Sequence, residues 1–424
     1  MSELNTKYLI IGAGISGLTF ANYLNNSDYL IVEKEKKIGG YCKTNINGDY
    51  VWDYAGHFFH FKTDEMREMF IEYMNDQELI SQNKNTKILF KNNLIDYPFQ
   101  INIHQLEKQD FIDCLYDLFN KTEKEEYDNF LDMLYGKFGK SIVEKFLKPY
   151  NEKLYACDLN KLDKNAMGRF FPYADTKKII NNMKNLDNTS YNNTFLYPRN
   201  GAGSFLDKLY NNLSKEKVLT STEVVSIDFE NRKAITNNND IIYYKYLINT
   251  SPLNKFLLIS NDEEDRKLNE ELSYNKVLVF NLGFEKEANN KEHWIYIPDK
   301  NTNYYRVGFY NNILNEKKLS MYIEIGFSKN DDIDVEKELQ KTLENLEISG
   351  ITRKNKLVAY ESIIMDPAYV HIQEKTNTEI AQYMKKINKK NVYSIGRYGA
   401  WTYCSMEDCM ISAKELAYKL ENKQ

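Results

Sequence analysis

The sequence predicts an α/β fold in three parts: a Rossmann-like dinucleotide-binding domain, a helical lobe inserted into it, and an antiparallel β-sheet substrate domain. Three observations carry that expectation. Residues Lys7–Thr44 run strand, glycine turn, helix, strand, acid, the order a dinucleotide-binding βαβ unit requires. His104–Asn120, Thr122–Gly139 and Lys140–Tyr155 place apolar residues at three-four spacing with polar faces between them. Lys276–Glu285, His293–Pro298, Thr302–Tyr310 and Met321–Phe327 alternate like half-buried strands. The expected division gives 1–86, 196–272 and 358–424 to the nucleotide domain and 101–195 to the lobe with its mobile flaps. The sheet domain takes 87–100 and 273–357.

In the first unit, the apolar run Tyr8–Ile11 leads into Gly12-Ala13-Gly14-Ile15-Ser16-Gly17, and the amphipathic stretch Leu18–Leu24 follows. Gly12 permits a tight turn, Gly14 lets backbone approach a pyrophosphate, and Gly17 lets helix pack closely on strand. The helix start presents free N–H groups and a positive dipole end to the phosphates. A second β-like run, Tyr29–Val32, ends at Glu33, 21 residues after Gly12 and placed to accept hydrogen bonds from a ribose. A glycine turn with no ligand is the bland alternative, and the complete strand-turn-helix-strand context weighs against it. Directly after the acid come Gly39-Gly40 and then Thr44. A second glycine pair adds backbone contacts to a pyrophosphate, and Thr44 offers a hydroxyl. A simple NAD enzyme has no need of these, so the expected cofactor is FAD.

At 424 residues the chain is long enough for two or three lobes around more than one core. With 42% hydrophobic and 14% aromatic residues it is not a disordered composition. The 56 basic and 61 acidic side chains nearly cancel, which points to neither nucleic acid nor a membrane surface. Its five cysteines form no CxxC pair, so neither a disulfide framework nor a zinc site is expected, and reduced thiols in a cytoplasm are the simplest reading. No apolar run reaches the length of a membrane span, and a transmembrane segment or cleaved signal is not expected.

Further along, Val51–Lys62 mixes aromatics with His57 and His60, three apart. No Cys, Asp or Glu stands at ligand spacing, so packing under a loop is favoured over a metal. Lys87–Gln100 reads as a hairpin around Lys91-Asn92-Asn93. Gly201-Ala202-Gly203 precedes an amphipathic helix but lacks a third glycine, so a second nucleotide site is not expected. In the short strand Val218–Ile227, Val224 is the candidate for backbone contact with adenine. Ile333–Leu346 reads as a helix, and Val392–Tyr403 as a strand and turn opening on a final helix, Ser405–Leu420.

Several patches resemble, in order and spacing, one family: the FAD-dependent UDP-galactopyranose mutases, the eukaryotic-type branch more than the short bacterial one. Tyr97-Pro98-Phe99-Gln100-Ile101-Asn102 is similar to the family's uridine-side segment, and Phe146-Leu147-Lys148-Pro149-Tyr150-Asn151 to its FxxPYN helix. Arg169 falls where the family has a catalytic arginine on a mobile flap, and Asn192-Asn193-Thr194-Phe195 resembles the second flap. Tyr296 and Arg306 keep the family's ten-residue spacing. Tyr369, Gly396-Arg397 and Tyr403 complete the diphosphate and flavin sides. Two residues depart from the pattern: Tyr155 stands where a tryptophan is expected, and Glu407 where an asparagine would face the flavin.

The resemblance implies an isomerase, with reduced flavin N5 attacking the anomeric carbon so that pyranose and furanose forms of UDP-galactose interconvert, a step in cell-surface polysaccharide synthesis. Arg169 and Arg306 would clamp the diphosphate, because a guanidinium fork binds phosphate oxygens bidentately. Tyr296, Tyr369 and Tyr403 would donate to its remaining oxygens. Tyr97, Phe99, Gln100, Phe146, Asn151, Tyr155 and Asn192 would line the rest of the substrate site, with Phe146 the best stacking candidate for the base. Gly56, His57, Gly396, Arg397, Ser405, Met406 and Glu407 would sit on FAD, His57 with a catalytic part. NADPH or NADH is the implied reductant, and a homo-oligomer is left open. The alternatives are the same chemistry on another nucleotide sugar, an FAD-dependent amine oxidase or desaturase, and a flavin-binding scaffold without turnover.

Overall fold

Buried parallel strands form the centre of the nucleotide-binding lobe. Glu3–Ile11 pairs in parallel with Tyr29–Val32 on one side and with Ile241–Asn249 on the other. Ile241–Asn249 also pairs in parallel with Val392–Ser394, and its opening residues pair antiparallel with Lys233–Thr236. Tyr8, Leu9 and Ile10 are wholly buried, as strands covered on both faces must be. Helix Ile15–Asn22 lies against helix Met406–Glu421, so segments nearly 400 residues apart share one core. These observations come from a computed structural model that describes residues 2–25, 28–184, 193–260 and 262–422. Among the described residues no helix is long and apolar enough to cross a membrane.

The second sheet has seven strands in the order Leu357–Met365, Asn275–Glu287, Lys318–Ser328, Arg306–Phe309, Trp294–Tyr296, Thr86–Phe90, Asn93–Asp96. All neighbours are antiparallel except Trp294–Tyr296 with Thr86–Phe90. Leu357–Met365 was expected to begin the return to the nucleotide lobe. It instead pairs along Asn275–Glu287 as an edge strand, with exposure alternating residue by residue. The expected boundary at residue 358 therefore falls inside the sheet.

The helical lobe differs from expectation at its helix starts. Lys108–Phe119 begins later than expected, after two short 3₁₀ turns, and Phe130–Phe138 begins eight residues late. The run from Thr122 to Asp128 is too polar to bury a face, and Asn129 instead caps Phe130–Phe138 by accepting from the Asp132 N–H at 2.9 Å. The helical run from Lys140 to Tyr155 contains a π turn at Val143–Leu147, just before Pro149, which has no N–H to give the helix.

Candidate active site

The nucleotide cradle is built from glycines that could not be otherwise. A Cβ on Gly17 would stand 2.1 Å from the Gly12 carbonyl oxygen, so helix and strand touch only because it is absent. Gly14 has nothing near its missing side chain but the Cα of Gly40, 3.9 Å away. The two glycine faces are opposed, a gap through which backbone can meet a pyrophosphate. Gly39 supports this by donating its N–H to the Ala13 carbonyl at 2.8 Å. Helix Ile15–Asn22 has no side-chain cap, which leaves its first N–H groups for a ligand.

Glu33 is buried beside this turn, accepting from the N–H groups of Ala13 at 2.8 Å and Glu35 at 2.9 Å. Thr222 donates its N–H to the Glu33 carbonyl, which brings Val224 to the same end of the sheet. Gly396 closes the cradle from the far end of the chain, since a Cβ there would lie 2.3 Å from the Ser16 hydroxyl.

Three residues assigned to the cofactor have other partners. The Thr44 hydroxyl donates to the buried Asp53 carboxylate and accepts from the Gly203 N–H at 2.8 Å, so it joins two loops. Glu407 accepts the N–H groups of Lys62 at 2.8 Å and Thr63 at 2.9 Å, so its carboxylate fixes the entry to helix Asp64–Tyr73. Ser405 caps helix Met406–Glu421 in a reciprocal box with Asp408. Met406, next in the chain, has its sulfur 3.7 Å from Cys42 Sγ.

The opposite wall is a face of the second sheet. Tyr296, Arg306 and Glu324 are directly opposed on three neighbouring strands. Arg306 gives Nε to Glu324 Oε2 at 2.9 Å and Nη2 to Oε1 at 2.6 Å. Glu324 is 2% exposed, and nothing in the sequence pattern singled it out. Burial is the largest single influence and works against the Arg306 charge, but the Glu324 carboxylate together with Tyr369, Tyr322 and Tyr305 outweighs it and holds the guanidinium well above its ordinary pKa. Two of five N–H groups are spent on this pair, and Nη1 has no protein partner among the described residues. Gly308, opposite Tyr322, gives way to that tyrosine, whose ring would lie 2.0 Å from a Cβ there.

Around Arg306 stands a ring of tyrosines. Tyr97 and Tyr296 have centroids 5.0 Å apart, and Tyr369 stacks on Tyr403 at 5.9 Å. Arg397 lies 4.5 Å from the Tyr403 ring and 5.4 Å from that of Tyr369, and donates to the Cys404 carbonyl at 2.9 Å. Among the described residues it has no carboxylate partner within ion-pair distance. Burial raises the pKa values of Tyr97, Tyr155, Tyr296 and Tyr369, so all four remain phenols able to donate. Among the described residues the hydroxyls of Tyr155 and Tyr322 are buried without a partner. An anion is what two guanidinium groups and a set of neutral donors are suited to receive.

His57 lies between the walls, with Nδ1 3.2 Å from the Ala55 carbonyl. Burial pushes its imidazole down to about 4, the Ala55 hydrogen bond opposes that, and Arg397 and Arg306 push it further. Ala55 itself has φ +102°, a strained conformation that costs about 1–3 kcal/mol and fixes the turn into Gly56 and His57.

Other expected contacts are not brought together. Arg169 lies on a 3₁₀ turn, ion-paired with Asp408 and 3.3 Å from the Ser405 hydroxyl. Phe146 is 2% exposed and stacked between Phe99 at 5.0 Å and Tyr150 at 5.3 Å, so neither face is free for a base. Phe99 is wholly buried in the lobe's core. Gln100 and Asn151 are buried too, donating to the Pro172 carbonyl at 2.5 Å and the Leu147 carbonyl at 2.6 Å; the amide oxygen of each has no partner. Tyr155 is 1% exposed, edge-on to Tyr369. Asn192 lies outside the described residues.

The histidines give a stability prediction. Burial holds His57, His60, His293 and His371 at about 4. In the unfolded chain they titrate near 6.5, roughly, so between those values the unfolded state binds more protons and stability falls as pH falls. Asp53, raised to about 7 by burial, and Asp207 and Asp265, also raised by burial, act in the opposite direction over the range above their unfolded values, but the lowered imidazoles, His104 included, outnumber them. The urea midpoint is expected to be lower at pH 5 than at pH 7 with an unchanged m-value; a flat profile would contradict neutral buried imidazoles.

Comparison with known proteins identifies the fold. A family profile described as an NAD(P)-binding Rossmann-like domain matches residues 10–73, which places the chain among proteins with a dinucleotide-binding lobe. A crystal structure of reduced UDP-galactopyranose mutase superposes with a TM-score of 0.93 at 22% identity, covering 99% of this chain and 95% of that one. A putative protoporphyrinogen oxidase from Exiguobacterium sp. 255-15 follows at 0.76 and 16% identity, covering 99% of each chain. In sequence, a UDP-galactopyranose mutase from Mycoplasma genitalium is 26% identical over 211 residues, which is 44% of this chain and half the length of that relative. The resemblance to the UDP-galactopyranose mutases thus extends from short patches of sequence to the fold of the whole chain.

Proposed function

We propose that this protein is a flavin-dependent mutase that interconverts the pyranose and furanose forms of a nucleotide sugar, UDP-galactose in the first instance. The observation that carries the reading is Arg306, locked by buried Glu324 with Nη1 left over, in a ring of neutral phenols that also holds Arg397. An amine-oxidising site needs an apolar cage, and this arrangement gives it no purpose.

The cradle suits FAD: the opposed faces of Gly14 and Gly40 leave room for a pyrophosphate, Glu33 beside the turn would accept from a ribose hydroxyl, and Gly396 and Arg397 would close the far side. When reduced, FAD supplies a nucleophilic nitrogen for the anomeric carbon. The protein's own residues handle the leaving group. Arg306 offers its free N–H edge to the charge that grows on the diphosphate as the C–O bond breaks. Tyr97, Tyr296, Tyr369 and Tyr403 donate to its other oxygens without adding charge, and their rings exclude water. Retaining the nucleotide in this ring makes its return effectively unimolecular. His57, neutral and with Nδ1 turned to Ala55, keeps Nε2 as an acceptor. Arg169 joins the clamp only by leaving Asp408. NADPH or NADH serves as reductant.

A panel of nucleotide sugars assayed with dithionite-reduced enzyme tests the reading. UDP-galactose is expected to isomerise with no net consumption of electrons, the oxidised enzyme to be inactive, and UDP to inhibit competitively. Equal turnover by oxidised and reduced enzyme, or no inhibition by UDP at millimolar concentration, would overturn it.

A further inference from the structure

Beside the cradle lie two thiols that the mutase reading does not use. Cys404 and Cys409 flank the start of helix Met406–Glu421, one residue before the Ser405 cap and four residues into the helix. Residues at these two positions commonly pack against each other, and an apolar pair would serve that purpose. Here both are cysteines, with their sulfurs 3.6 Å apart. Cys404 is half-buried and Cys409 is 5% exposed.

We infer that Cys404 and Cys409 form a reversible peroxide-sensitive dithiol, a redox modification site on the wall of the cofactor cradle. Hydrogen bonds from the Cys404 thiol, the Arg397 backbone and the Ser16 hydroxyl, with the Arg397 charge, hold the Cys409 thiol below its ordinary pKa against the effect of burial. Cys409, in the first turn of helix Met406–Glu421 with its sulfur 3.6 Å from that of Cys404, is assigned as the attacking group. It displaces hydroxide from hydrogen peroxide and becomes a sulfenic acid. Cys404 then attacks that sulfur, the S–S bond forms, and the oxygen departs as a second water. Two thiols lose two electrons and two protons, and one peroxide becomes two waters. The bond would pin Tyr403, next to Cys404, and the Cys404 carbonyl that receives Arg397 at 2.9 Å, so oxidation would stiffen one wall of the site. The three remaining cysteines are placed differently: Cys42 lies against Met406, Cys114 is wholly buried in the helical lobe, and Cys157, half-buried against the same core, has its thiol pushed up by burial.

The test adds the oxidant directly to the purified, flavin-loaded protein and so does not depend on turnover. After stoichiometric hydrogen peroxide, thiols titrated under denaturing conditions should fall from five to three. Peptide mapping should find a Cys404–Cys409 cross-link that dithiothreitol reverses. In Cys404→Ser, or Cys404→Ala if serine disturbs the helix start, Cys409 should stop at a sulfenic acid captured by dimedone. Intact thiols, a cross-link through Cys42, or separate oxidation of Cys404 and Cys409 to sulfinic acids would each overturn the inference, as would an unreactive Cys409 in a folded Cys404→Ser variant.

Discussion

Arg306→Ala is expected to lower kcat/KM by about two orders of magnitude or more, roughly 2.7 kcal/mol of lost transition-state stabilisation. Two effects combine in that substitution. The departing diphosphate loses its bidentate partner, and Glu324 becomes a buried carboxylate without its cation, at a cost of about 3–5 kcal/mol in stability. The double variant Arg306→Ala with Glu324→Gln separates them, because it removes the stranded charge but restores no fork. It should recover most of the stability and none of the activity. Arg306→Lys should recover little, since an ammonium cannot hold both Glu324 oxygens and still present a planar edge. Flavin content should be unchanged throughout. Near-normal steady-state kinetics in the folded, flavin-loaded alanine variant would remove the chemical centre of the mutase reading.

Gly17→Ala should give a colourless protein destabilised by about 3 kcal/mol, the upper range for forcing atoms into a packed interior. One methyl group would stand 2.1 Å from the Gly12 carbonyl oxygen, so helix Ile15–Asn22 must move off its strand and carry the pyrophosphate-facing N–H groups with it. Gly48→Ala is the control: its backbone is left-handed, with φ +60°, but nothing lies within 4 Å of the added atom. That variant should remain yellow with only a modest loss of stability. Flavin absorbance and urea unfolding measure both, and a yellow, fully stable Gly17→Ala protein would mean that the helix has room to give.

What the sequence made legible was mostly local. The glycine fingerprint, Glu33 and the strand-helix-strand order are written within some forty residues, and the left-handed turn at Gly12 and the close approach of Gly17 to it match the turn and packing for which each was singled out. Glu324 was not legible, because its meaning depends on which strand lies beside Arg306, and a pairing register between separate strands leaves no mark at either position. Thr44 and Glu407 were singled out for suitable chemistry, but their oxygens are satisfied by Asp53, Gly203, Lys62 and Thr63, partners set by long-range packing. Phe146 is aromatic in an aromatic-rich helix, and only the structure reveals rings on both of its faces. The edge strand at 357–365 was missed as part of the sheet because alternation gives a strand's type and not its neighbour.

The joining of Ser16 to Gly396, and of helix Ile15–Asn22 to helix Met406–Glu421, has a consequence for synthesis on the ribosome. The fingerprint lies at residues 12–17, yet one side of its pocket is encoded beyond residue 390. Until that later segment leaves the exit tunnel, Tyr8 lacks the Glu421 carboxylate that its hydroxyl meets at 2.7 Å, and strand Ile241–Asn249 lacks its neighbour Val392–Ser394. The side of the pocket that these later residues supply is therefore made last, and a shorter nascent polypeptide holds the glycine turn with that side open to water.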